Sequence, residues 1–267
     1  TALVGLFLAP GNIDVLTAFV AITCIALGAG GAGVLNMWYD RDIDRTMART
    51  SARPIPAGRM NPRAALLFGS VLAVASIGAM AVFVNVVAAA LLAATFVYYV
   101  LIYTIWLKRR TPQNIVIGGA SGALPPVVGW AAVTGGVDAG ALALFAIIFL
   151  WTPPHSWALA LFRRDDYARA RVPMLPVVAG DRATRNQILV YSLLLVPASL
   201  APVAIGLSGV LYGVAASVLG CLFVRHAVRV WRDETDASAR PMFGFSILYL
   251  FLIFAFLLAD ALVPISY

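Results

Sequence analysis

Apolar runs of about 20 residues recur from one end of the chain to the other. Each is long enough to cross the ~30 Å hydrocarbon core of a bilayer as a helix. Nine spans are expected, near 1–9, 15–36, 61–84, 87–107, 115–133, 140–161, 187–207, 209–231 and 242–262. The first is too short to cross and reads as half of a longer helix. Backbone in lipid must satisfy its own hydrogen bonds, inside a helix or a closed barrel. A barrel needs alternating strands of about ten residues, and the sequence has none. The expectation is therefore an all-α polytopic membrane protein, one domain over residues 1–267. The composition, 62% hydrophobic and 12% charged, excludes an ordinary soluble surface. No small-residue cleavage site follows the first segment, which argues against a signal peptide.

Charge is distributed as a topology signal. All 19 Lys and Arg lie in or beside alternate connections: six in 41–63, three in 108–110, six in 163–185 and four in 225–240. The intervening connections and the tail carry none. By the positive-inside rule the basic connections face the cytoplasm and the C-terminus lies outside. The net charge of +7 is explained by this placement and implies no nucleic-acid partner. Acidic residues contribute little to topology, yet nine of the twelve share the basic side and need another explanation. Cys24 and Cys221 lie inside apolar spans and read as small core residues, neither a disulfide nor a metal pair.

The stretch NMWYDRDIDRTMARTSARP, 36–54, supplies one. Asn36, Asp40 and Asp44 are four apart and stack on one face of a continuing helix. An amide and two carboxylates in a column offer oxygen ligands to a hard cation such as Mg²⁺. Asp42 points elsewhere. Arg45, Arg49 and Arg53 repeat the spacing one residue out of phase, and Arg suits bidentate phosphate recognition. Together these residue types suggest a lipid-linked diphosphate. A helix-end ion-pair network, Asp40–Arg41 to Asp44–Arg49, uses the same residues, and spacing does not choose between the two.

A second acidic stretch, LFRRDDYARARVPMLPVVAG at 161–180, lies on the same side and carries Asp165 and Asp166. Both stretches run through prolines to Ala-Gly, which hints at two related helix groups. Two acidic sites on one face could hold two metal ions around one diphosphate. Lys108, Arg109 and Arg110 lie between them, as phosphate contacts or as topology anchors, the latter the default for Arg110. Gln113 and Asn114 open the next helix and can either hold an anion with the free backbone N–H groups or act as ordinary caps. Pro125–Pro126 and Pro153–Pro154 are expected to break two spans and open them onto a cavity. His155 follows the second pair. A histidine within the membrane marks function or an interhelical hydrogen bond. His226, between Arg225 and Arg229, reads as interfacial. Tyr98, Tyr99, Tyr103 and Trp151 can steady a carbocation by their ring faces or simply pack.

The pattern N-x3-D-x-D-x-D-R-x-M-x-R-T-x2-R-P resembles the first signature of the UbiA-type intramembrane prenyltransferases. YT-x2-LKRRTPQNIVIGG, GALPPVVGWAAVTG, WTPPHSWALAL, DYARARVPMLPVVAG and FSILYLF resemble, within that family, the heme O synthases, or protoheme IX farnesyltransferases. The likeness runs from residue 3 to about 262. It implies nine helices around a central cavity in the cell inner membrane, capped by both acidic loops. It implies Mg²⁺-dependent transfer of the farnesyl group of farnesyl diphosphate to a vinyl carbon of heme b, with release of diphosphate. The product would pass to heme A synthase or to terminal oxidase assembly. Carried onto this sequence, Asn36, Asp40, Asp44 and Asp166 would hold metal, with Asp40, Asp44, Asp166 and Lys108 catalytic. Asn36, Arg45, Arg49, Arg53 and Tyr167 would meet the diphosphate, joined by Lys108, Arg109, Gln113 and Asn114 on the reading of the residues given above. His155 matches the family's membrane histidine and would contact heme; should it not, His226 with Arg225 and Arg229 is the fallback heme site, read from the residues and not from the resemblance. Arg171 stands where a small residue, often Gly, is expected. Asp165 is an extra acid, and Ser156 replaces an aromatic. The rival readings are a family member acting on another aromatic acceptor, and a membrane carrier.

Overall fold

The computed structural model describes residues 1–233 and 235–262. Every regular element among them is helical, as backbone in lipid requires. Eight helices are long and apolar enough to span a membrane. The segment expected as a ninth span is α1, Ala2–Leu8. At 1.5 Å per residue it covers only about 10 Å. The chain is a multi-pass helical membrane protein, and large apolar side chains such as Phe19, Val74, Val82, Phe83 and Phe251 point outward.

After α1 come α2 (Val15–Tyr39), the short α3 (Arg41–Thr46) and α4 (Pro62–Phe83). α5 (Val86–Val97) continues without interruption into a π-helical segment, Tyr98–Leu107. Then follow α6 (Asn114–Ala123), α7 (Pro125–Thr134), α8 (Ala139–Phe162), α9 (Arg164–Arg169), α10 (Leu175–Val178), α11 (Gly180–Ala204), α12 (Val210–Arg232) and α13 (Ala239–Leu262). Helix starts are fixed locally. The side chains of Asp14, Asn61, Asn85 and Asp138 each accept a backbone N–H of the first turn, satisfying donors that the helix leaves free.

Small residues let the helices approach. A Cβ on Gly31 of α2 would lie 2.9 Å from the Gly69 carbonyl oxygen of α4, so α2 and α4 meet almost backbone to backbone. The largest apolar core joins α8, α11, α12 and α13 around Trp157, Tyr212, Phe223 and Tyr249. A second core lies between α2, α5 and α7. Cys24 belongs to it, whereas Cys221 is exposed on the outer face and is not a core residue.

The two proline pairs behave differently. Pro125 begins α7 after a break at Leu124. α8 runs through Pro153 and Pro154 as one helix, against the expected opening. Both prolines are buried, and the Thr152 hydroxyl donates to the Ile148 carbonyl at 2.8 Å, one polar contact that supports this turn.

Alternation of the eight spans brings both acidic stretches and the 108–113 connection to one end of the bundle. Ile43 and Met47 of the first stretch share an apolar cluster with Tyr167, Val172 and Met174 of the second. The two loops therefore form one cap.

Candidate active site

The column of Asn36, Asp40 and Asp44 forms although α2 ends at Tyr39. Asp40 (φ −86°, ψ 10°) joins α2 to α3. The helical register persists through it, with Asp40 N–H to Asn36 O at 2.9 Å and Asp44 N–H to Asp40 O at 2.8 Å. Asn36 Nδ2 donates to Asp40 Oδ2 at 3.0 Å and to Thr104 Oγ1 at 3.1 Å. The arginine register does not persist. Met47 is extended (φ −97°, ψ 126°), so the chain turns away after α3. Arg53 folds back and donates to both oxygens of Asp44, at 2.9 and 3.1 Å. Arg49 is exposed but lines the cavity described below. Arg45 is exposed and lies outside its lining.

Asp40 is completely buried and ion-paired to Lys108, with Arg109 3.3 Å from its other oxygen. A buried carboxylate needs such partners. The ion-pair alternative is thus half right. Asp40 and Asp42 are paired with Lys108 and Arg109 of another segment and Asp44 with Arg53 of its own, while Arg41 donates to the Trp38 carbonyl at 2.7 Å. Arg109 grips Asp42 with two nitrogens, at 2.7 and 2.8 Å, and lies over the Tyr39 ring. That hydrogen-bonded pairing holds the Asp42 carboxyl below the usual range and the Arg109 guanidinium above its own. Arg109 faces the outer grooves rather than the cavity.

A cavity of about 170 Å³ opens beneath the cap. Asn36, Asp44, Arg49, Arg53, Lys108 and Asn114 bring its polar atoms, and Tyr99, Tyr103 and Tyr167 bring rings. Asn114 is buried, and its Nδ2 donates to the Thr111 carbonyl at 2.8 Å. Its Oδ1 is buried with no hydrogen-bond partner. Gln113 is exposed and outside the lining. Tyr103 reaches the cavity by packing directly on Gly118, where a Cβ would lie 2.2 Å from its ring. The π-helical register aims these residues, and the Thr104 hydroxyl donates to the Tyr99 carbonyl five residues back, at 2.9 Å. Asp44, Asn36 and the orphaned Asn114 oxygen form a hard-oxygen donor set that fits a divalent cation sharing its shell with phosphate.

The second acidic site is not gathered into this cavity. Asp166 is buried against Arg169 and, at 3.6 Å, Arg163. It lines a separate pocket of about 220 Å³ with Arg164 and Asp236. Asp165 points into solvent. No group of three or more His, Cys, Asp or Glu among the described residues is close enough to hold one metal ion. Arg171 adopts φ 53°, the left-handed conformation that favours Gly, which is the physical reason for a small residue there.

A second cavity, of about 280 Å³, is apolar and lined by Ile25, Ala32, Gly33, Leu92, Phe96 and Val128 among others. Tyr99 lines both cavities. His155 lines neither of these cavities. Its ring is stacked between Trp151 (4.3 Å) and Phe243 (4.7 Å), with Nδ1 2.7 Å from Ser246 Oγ. His226 stacks on Phe245 at 4.7 Å. The two histidines contact different residues of α13, and Arg225 and Arg229 are exposed.

Sequence reasoning missed Thr104, Ser246 and the arginines around Asp166. Thr104 lies four residues before Lys108, a spacing that could have flagged it. Ser246 is a lone hydroxyl in an apolar run.

The model of the UbiA prenyltransferase family matches residues 1–259. The chain belongs to this family. A relative from Azorhizobium caulinodans, named protoheme IX farnesyltransferase, is 59% identical over 98% of this chain and 87% of its own length. Among solved structures, a digeranylgeranylglyceryl phosphate synthase superposes with TM-score 0.82 at 17% identity, over 97% of this chain and 91% of that one. A UbiA homologue from Archaeoglobus fulgidus bound to GPP and Mg²⁺ superposes with TM-score 0.63 at 17% identity, over 96% and 93%. These likenesses establish the UbiA fold.

Proposed function

We propose that this UbiA-family prenyltransferase is a Mg²⁺-dependent protoheme IX farnesyltransferase, one membrane-embedded domain over 1–267. It transfers the farnesyl group of farnesyl diphosphate to a vinyl group of heme b, giving heme O and diphosphate. The observation that carries the reading is the pairing of a polar cavity rich in oxygen donors and cations with an apolar cavity, with Tyr99 in the lining of both. One suits a diphosphate head and the other an isoprenoid tail. The 59% identical relative of the same name supports the acceptor.

Asn36 and Asp44, with Asn114 Oδ1, are the candidate metal ligands in the cavity; Asp40, paired with Lys108 and Arg109, and Asp166, in its own pocket with Arg169, would have to leave their present ion pairs to join them. A bound Mg²⁺ would neutralise charge on the diphosphate. Lys108, Arg49 and Arg53 add their own charge where the leaving group develops it, and Tyr167 closes the cap over it. The C1–O bond breaks with its electron pair leaving on the diphosphate. The vinyl carbon attacks C1, and water captures the cation left on the porphyrin side chain, losing a proton to give the hydroxyl. The ring faces of Tyr99 and Tyr103 steady the allylic cation. An enclosed site excludes premature water. His155 meets heme, with His226, Arg225 and Arg229 as the alternative, and roles for Arg45, Arg109 and Gln113 require movement from their present positions.

The reading places the enzyme in the cell inner membrane with its acidic loops cytoplasmic and its C-terminus outside; residues 263–267 lie outside the described residues. Its partners are farnesyl diphosphate, heme b, the lipid bilayer, and downstream heme A synthase or oxidase assembly. Purified protein incubated with heme b, farnesyl diphosphate and Mg²⁺ should yield heme O by mass. Prenylation of another aromatic acceptor, with none of heme b, overturns the acceptor. Binding without product overturns the enzyme.

A further inference from the structure

We propose that Ser246 is a positioning residue that fixes the tautomer and ring plane of His155, so that Nε2 is presented to the acceptor as a lone pair. The proposal rests on the reading of His155 as the residue that meets heme iron.

Ser246 is completely buried in α13, and its Oγ makes two close contacts: 2.6 Å to the Phe243 carbonyl and 2.7 Å to His155 Nδ1. A hydroxyl has one proton, and a carbonyl can only accept. Both bonds form together in one way: the hydroxyl donates to Phe243, and Nδ1–H donates to the hydroxyl. The neutral imidazole then carries its lone pair on Nε2. Among the described residues the only hydrogen bond of the ring is the one at Nδ1.

The ring plane is set by the same turn of α13. Trp151 stacks on one face at 18° and Phe243 on the other at 25°. The Trp151 indole N–H donates to the Ser246 carbonyl at 2.7 Å, so the stacking partner and the hydroxyl cannot move independently. A stacked ring leaves only its edge for a ligand, and the edge opposite Ser246 is Nε2. A group that holds the second nitrogen of a ligating histidine typically contributes 10–100-fold to metal affinity.

The test titrates the purified full chain in detergent with ferric heme b, followed by absorbance and electron paramagnetic resonance. Ser246→Val and Ser246→Thr have nearly equal volume and differ in the hydroxyl, which separates packing from hydrogen bonding. Ser246→Val should weaken heme binding at least about tenfold and alter the iron spectrum. It should leave farnesyl diphosphate affinity within about twofold, a small interval beside the tenfold step of 1.4 kcal/mol. Ser246→Thr should restore the spectrum. If His155→Ala changes the spectrum while Ser246→Val does not, the positioning role fails and the histidine reading stands. If His155→Ala leaves the spectrum and affinity unchanged, the reading beneath it fails. If Ser246→Val lowers Tm and both affinities together, the residue only packs α13 on α8, and the proposal is overturned.

Discussion

Asn36 Nδ2 lies 3.1 Å from Thr104 Oγ1, across 68 residues of sequence. This bond ties the acidic column of α2 to the π-helical segment that carries Tyr99 and Tyr103. The same amide hydrogen-bonds Asp40, so one side chain sets the spacing of both. Thr104→Val keeps the shape and removes the acceptor. It should cost about 1 kcal/mol of stability and lower kcat more than it raises KM. Unchanged kcat in a steady-state assay removes Thr104 from the site.

Asp40 and Lys108 form a buried pair reinforced by Arg109. Asp40→Asn leaves two cations facing a neutral amide. The rate should fall at least ~10²-fold, the scale of lost electrostatic stabilisation, and Tm should fall with it. Asp40→Asn with Lys108→Met should be less damaging to stability than the two single changes added. Additive losses in a double-mutant cycle exclude the coupling. Excess EDTA should abolish turnover of the native protein, and full activity in EDTA removes the metal from the reading.

The apolar cavity offers a test of the tail site. A Cβ on Gly33 would meet nothing within 4 Å. Gly33→Leu should therefore fold well, gaining up to about 1 kcal/mol of helix propensity, while filling the space a prenyl chain needs. KM for farnesyl diphosphate should rise at least ~10-fold, on the scale of excluding buried methylenes, and KM for geranyl diphosphate should rise less. Equal effects on both would place the tail elsewhere.

Arg171 sits at φ 53°. Arg171→Gly should raise stability by about 1 kcal/mol, seen as a higher Tm in thermal unfolding. A fall in Tm means that the side chain contributes more than its backbone strain removes.

The Lys/Arg asymmetry predicts which end of the bundle faces the cytoplasm. Ser51→Cys and Val137→Cys, in a background with Cys24 and Cys221 replaced, should label from opposite sides of sealed vesicles. Ser51 is exposed and Val137 is 44% exposed. Labelling from one side breaks the topology.

Sequence alone determined the helices, their alternation and the end at which the charges gather. These are local properties: a run of apolar residues has a length, and length decides whether it spans. It also determined the Asn36–Asp40–Asp44 column, because residues four apart meet on any continuing helix. Arg45, Arg49 and Arg53 do not share a face, since the chain leaves the helix at Met47 and spacing then carries no direction. In the second acidic stretch the i,i+3 pair of Asp166 with Arg169 was within reach of the same spacing rule, but spacing does not say that this pair sits in a pocket of its own, apart from the first site. Asp166 took the nearby Arg169, and Tyr167 turned to the cavity instead. Only the tertiary structure decided the pairings of Asp40 with Lys108, Asn36 with Thr104, and His155 with Ser246, which are 68, 68 and 91 residues apart. Such contacts depend on how far each helix is rotated and how closely its neighbour approaches. That rotation is set by packing at points such as Gly31 against Gly69 and Gly118 against Tyr103, which hydrophobic periodicity does not encode.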